Sequence, residues 1–112
     1  MKEELLKIVD KYYENYKLPE LKVNDGEWEA LLTTITKYLP NNAMDAVNIV
    51  LRKAFNIALA NNEGYFNLYY IVLALDDLNV FNLSTDIIHN IKNEVMLESL
   101  KNNAKKENII TK

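Results

Sequence analysis

The chain has 112 residues, 49% of them hydrophobic and 26% charged, with a formal net charge of −3. This is the length of one domain with enough apolar material for a real core, which excludes wholesale disorder. The absence of cysteine excludes a disulfide framework and any thiolate metal site.

The opening Met1-Lys2-Glu3-Glu4 places acidic residues where a secretion signal needs a cationic and then an apolar run. A first helix is expected over Lys2–Lys17. Leu5, Val9, Tyr12 and Tyr16 recur at i, i+4, i+7 and i+11, with Leu6 and Tyr13 widening the stripe. Pro19 disfavours helical backbone at Leu18, so Leu18–Val23 reads as an extended connector.

Asn24, followed three residues later by Glu27, has the form of a capping box for a second helix. Asp25, Glu27 and Glu29 then lie in a first turn, where the helix dipole favours carboxylates, and need no catalytic role. Trp28, Leu31, Leu32, Ile35 and Leu39 form its inward stripe, and Pro40 closes it.

The third and fourth helices, Ala43–Ala60 and about Tyr65–Leu78, form a central apolar hairpin around Asn61-Asn62-Glu63-Gly64. The third has Asn42 as its cap and one narrow polar stripe of Asp45, Asn48, Arg52 and Asn56, flanked by Lys53. The rest is apolar, so it is expected to pack on several sides, with Ile49 partly exposed and Gly64 as the left-handed cap. On the fourth, Leu68, Ile71, Val72, Leu75 and Leu78 give an inner face. Phe66, Tyr70, Leu73 and Asp77 give an outer side too apolar for plain solvent, hence core or a contact surface. Leu68–Leu75, the longest run without charge or asparagine, is far short of the ~20 residues of a membrane span.

After the connector Val80–Leu83, Ser84 or Thr85 caps a last helix, with Asp86 in its first turn and Ile87, Ile88, Ile91 and Val95 as its buried stripe. Met96, Leu97 and Leu100 continue the apolar character less regularly. Fraying is expected near Asn102-Asn103. The fold expected is a single all-α domain, residues 1–106, a bundle of about five helices around the central hairpin. Residues 107–112 are expected as a flexible tail.

No constellation for chemistry is visible. His89 is the single histidine, is expected to be exposed, and has no partner at a recognisable spacing. Asp76 and Asp77 point about 100° apart on a helix and so do not form a paired acid site. At a helix C-terminus they oppose the dipole, which hints at a reason beyond folding. No calcium-loop, phosphate-loop or nucleophile-elbow spacing occurs, so neither catalytic residues, cofactor nor metal is expected.

Charge is informative by region. Between Lys53 and Lys92 there is no lysine or arginine, whereas Glu63, Asp76, Asp77 and Asp86 lie there. That argues against direct nucleic-acid binding, which needs a basic footprint, and suits a basic protein partner. Tyrosine gives large contact area at low entropic cost. Tyr65, Tyr69 and Tyr70 with Phe66 beside the acids are therefore the best recognition candidates. The expected partner-binding set is Glu63, Phe66, Tyr69, Tyr70, Asp76, Asp77 and Asp86.

In overall form, and in its central run AMDAVNIVLRKAFNIALANNEGYFNLYYIVLALDDL, the chain resembles the small all-α immunity proteins of bacterial contact-dependent growth inhibition systems. The resemblance implies a cytoplasmic protein that neutralises a cognate toxin, commonly a nuclease, by masking its basic surface or active site. Such an inhibitor is not an enzyme, and no motif residues carry over. The alternative is a helical regulatory or scaffolding subunit that self-associates through Phe66, Tyr70 and Leu73. An enzyme acting on a small molecule in the helical core ranks below both. Oligomeric state and the partner's identity are not legible in the sequence.

Overall fold

The computed structural model describes the backbone of residues 2–16, 20–21, 23–61 and 65–111, and side chains throughout these except at 20, 21, 65, 66 and 104–111. The chain is a single all-α bundle: α1 (Lys2–Tyr16), α2 (Asp25–Tyr38), α3 (Ala43–Asn61), α4 (Leu68–Ala74) and α5 (Thr85–Thr111). A 3-10 segment, Leu75–Phe81, continues α4. One short parallel pairing, β1 (Glu20–Leu21) with β2 (Tyr65–Phe66), joins the two connectors.

The helix starts follow local chemistry. Asn24 accepts from the Glu27 N–H at 2.9 Å while the Glu27 carboxylate accepts from the Asn24 N–H at 3.5 Å, so the expected capping box is present. The Ser84 hydroxyl accepts from the Ile87 N–H and opens α5. The Asn42 carbonyl accepts from the Ala46 N–H at the start of α3. Asn82 adopts φ 61°, the left-handed conformation that asparagine tolerates best after glycine, and ends the 3-10 segment.

As its apolar circumference requires, α3 is the spine. It packs against α1, α2, α4 and the 3-10 segment, and Val47, Val50, Leu51, Ala54 and Phe55 are fully buried. Ile49 is half-buried, as expected, but Leu59 is exposed. The most extensive pairing is α2 with α5. At its far end the Asn102 side-chain amide donates to the Gly26 carbonyl at 2.9 Å. A Cβ on Gly26 would stand 3.1 Å from that of Asn102, so the missing side chain lets the helices close. This anchor holds α5 at Asn102, where fraying was expected, and the helix itself runs on to Thr111, over residues expected as a tail.

The fourth helix differs most from expectation. It starts at Leu68 rather than Tyr65, because Asn67 is extended and its side chain accepts from the Tyr69 N–H at 3.0 Å. Residues 65–66 pair as a strand instead. At the other end the Leu75 N–H is shared between the Ile71 and Val72 carbonyls, which marks the change from α to 3-10 winding. Leu78 is therefore not a terminus: the tighter helix runs through Phe81. Among the described residues, no helix is long and apolar enough to cross a membrane.

Candidate functional site

Packing of α4 on α3 sets which of its side chains face outward. The buried positions of α4 and the 3-10 segment are Tyr70, Ile71, Ala74, Leu75 and Leu78. Tyr70 is 2% exposed, which removes it from the predicted contact set and from the predicted self-association surface. The outward positions are Tyr69 and Val80, each 63% exposed, with Asp76 and Asn79. Val72, Leu73 and Asp77 are half-buried between them. The outer side thus exists but is rotated from the sequence expectation, and Val80 joins it.

The Asp76-Asp77 pair also reads differently. The two residues open the 3-10 segment rather than end a helix, so the opposing dipole argument loses its basis. Asp76 is ion-paired with Lys92 of α5 at 2.7 Å. Its carboxylate remains 67% exposed, and a pair so open to water contributes little to stability. It does tie the 3-10 segment to α5. Asp86 is exposed in the first turn of α5, where the dipole favours it. Glu63 lies outside the described residues, and so does the side chain of Phe66.

Next to the ion pair is an open depression of about 240 Å³, lined by Asp76, Asn79, Thr85, Ile88, His89 and Lys92. A second hollow of about 290 Å³ lies on the turn between α2 and α3, from Pro40 to Asp45. Both fall below the ~300–1,000 Å³ typical of small-molecule sites. His89 is exposed, as expected. Among the described residues no group of three or more histidine and carboxylate side chains could hold a metal ion.

Sequence reasoning missed two further features, one on this face and one on α5. Lys92 is the first cation after Lys53, but nothing local in the sequence shows that it meets Asp76. Met96, Leu97 and Leu100 are exposed at 40%, 57% and 65%. Their signal was visible, since they fall off the Ile88, Ile91, Val95 stripe and lie on the helix's outer side.

No known protein family, curated protein or solved structure matches this chain.

Proposed function

We propose that this chain is a protein-binding protein whose working face is the outer side of α4 and the 3-10 segment, and that it serves in the cytoplasm as an immunity protein against a toxin with a basic surface. The observation that supports this most is the pairing of Tyr69 and Val80, both exposed, with the carboxylates Asp76, Asp77 and Asp86 on a stretch that carries no cation before Lys92. Exposed large side chains with an acidic surround suit a desolvated anchor with electrostatic steering of a basic partner. The same charge balance disfavours direct nucleic-acid binding. Inhibition by occlusion needs no reactive group and no enclosed pocket.

Co-expression with the product of an adjacent gene tests this reading. The expected result is a toxic product, growth restored by this chain and a stable complex of the two. Tyr69→Ala with Val80→Asp then weakens the complex at least ~10-fold while the far-ultraviolet circular dichroism stays unchanged. A neighbour that is not toxic, or a variant that neutralises as well as the parent, rejects the proposal.

A further inference from the structure

The outward face of α5 is built differently from the face just described. The inward residues Ile88, Ile91, Val95 and Ser99 are all buried. On the opposite side, in order, stand Asp86 and Ile87, Asn90, Asn93, Met96 and Leu97, then Leu100 and Lys101, all exposed. Two other charges of this stretch are engaged by neighbouring elements, and a third lies beside the basic end of the stripe. Lys92 pairs with Asp76, and Glu94 accepts from Lys37 and Tyr38 of α2. Glu98 reaches Lys101 at a loose 3.5 Å. The stripe is therefore neutral along its middle, apolar toward both ends, acidic at one extreme and basic at the other.

A two-fold interface requires a surface that is complementary to itself, so that residue i meets j and j meets i. This stripe satisfies that requirement in one orientation. We infer that two copies of this chain pair through antiparallel packing of α5 on α5, with the axis near Asn93. Asp86 then faces Lys101 of the second copy, Ile87 faces Leu100, and each contact occurs twice. A parallel arrangement sets Asp86 against Asp86 and Lys101 against Lys101, which like-charge repulsion disfavours. Asn93, next to the axis, supplies a polar contact of the kind that fixes register in helical pairs. The strip from Asp86 to Lys101 is ~22 Å long. One helix face of that length covers less than the ~800 Å² per partner of a standard interface. The pair is therefore concentration-dependent, with a dissociation constant in the micromolar range. This inference does not rest on the toxin reading; the two share Asp86 but use different apolar anchors.

Sedimentation of the full chain from 1 µM to 1 mM (~1,000-fold in concentration) is the test. The expected result is a monomer that becomes a dimer over this range, and ~100-fold weaker association for Leu97→Asp with Leu100→Asp at unchanged helicity. Asp86→Lys alone weakens the dimer ~5-fold, and the double reversal Asp86→Lys with Lys101→Asp restores it. A monomer at every concentration overturns the inference, as does a dimer that tolerates both aspartates. Failure of the double reversal to restore pairing overturns the antiparallel arrangement. Toxin neutralisation by the Leu97 and Leu100 variant separates the two proposals: it persists if only the dimer is lost.

Discussion

Two flanks of this bundle are rich in aromatic and apolar side chains, and only one is closed. On the flank between α1 and α3, three tyrosines surround the fully buried ring of Phe55. Tyr12 stacks on it at 5.3 Å, Tyr13 meets it edge-on at 5.0 Å, and Tyr16 tilts against it at 5.5 Å. Two polar tips are tied down as well: the Tyr16 hydroxyl donates to Asn56 Oδ1 at 2.7 Å and the Tyr12 hydroxyl to the Asn48 carbonyl at 3.3 Å. On the flank of α4 and the 3-10 segment, Tyr69 leans on Tyr70 with ring centres 6.0 Å apart, yet most of its surface meets water. Aromatic content alone therefore does not mark a recognition surface. What separates the flanks is whether the rings are enclosed within the fold.

The largest expected effects come from breaking the closed flank. Phe55→Ala removes a buried ring with three aromatic neighbours and is expected to cost about 3–5 kcal/mol, read as a lower urea midpoint. Tyr69→Ala, by contrast, is expected to change stability by no more than ~0.5 kcal/mol, because its ring is largely solvated. Tyr70 sharpens the boundary between the flanks. Adjacent to Tyr69 but 2% exposed, it is expected to cost ~3 kcal/mol when replaced by alanine. Equal losses for Tyr69→Ala and Tyr70→Ala would contradict the rotation of α4 described above.

That rotation also shows what the sequence could and could not convey. Helices α1, α2 and α3 were legible to within a residue or two at each end because each has a distinct polar side. Tyr12, Tyr13 and Tyr16 were assignable to the core edge for the same reason. In α4 nearly every residue from Leu68 to Leu75 is apolar, so periodicity did not determine whether Tyr70 or Val72 accompanied Ile71 inward. Packing of α4 against α3 decides it, and the change to 3-10 winding at Leu75 then altered the angular step for Asp76 through Val80. The strand pairing of residues 65–66 and the Asp76–Lys92 pair are long-range contacts with no local signature. Of the predicted surface, Tyr69, Asp76 and Asp86 are exposed and Asp77 is half-buried.

Medium effects are expected at a helix start and at a hydroxyl tip. Asn24→Ala removes one half of the capping box that holds the start of α2 and is expected to cost ~1 kcal/mol. Tyr16→Phe keeps the ring on Phe55 and removes only the bond to Asn56. Its expected cost is about 0.5 kcal/mol, the low end for an exposed hydrogen bond. A Tyr16→Phe loss as large as that of Phe55→Ala would mean that the polar tip, not ring packing, closes the flank.

The smallest effect is carried by protons, and enclosure decides its sign. Glu94 accepts from the Tyr38 hydroxyl at 2.7 Å and from Lys37, and these bonds hold its carboxyl below the ordinary 4.5. Glu27 is half-buried, and burial pushes its carboxyl above 4.5 despite the opposing backbone bond at Asn24. For Glu94 the unfolded chain binds the proton more tightly, so its contribution is complete above pH 4.5 and is lost as pH falls through the lowered value. For Glu27 the folded chain binds the proton more tightly. Its protonated form favours folding below pH 4.5, and stability falls as pH rises through the raised value. Urea unfolding between pH 3 and 6 (about 1.5 units on either side of an ordinary glutamate) on the parent, Glu94→Gln and Glu27→Gln measures both. The parent's advantage over Glu94→Gln should grow as pH rises, and its stability relative to Glu27→Gln should decline. Slopes of the same sign would show that enclosure of Glu27 by the start of α2 does not govern its charge in solution.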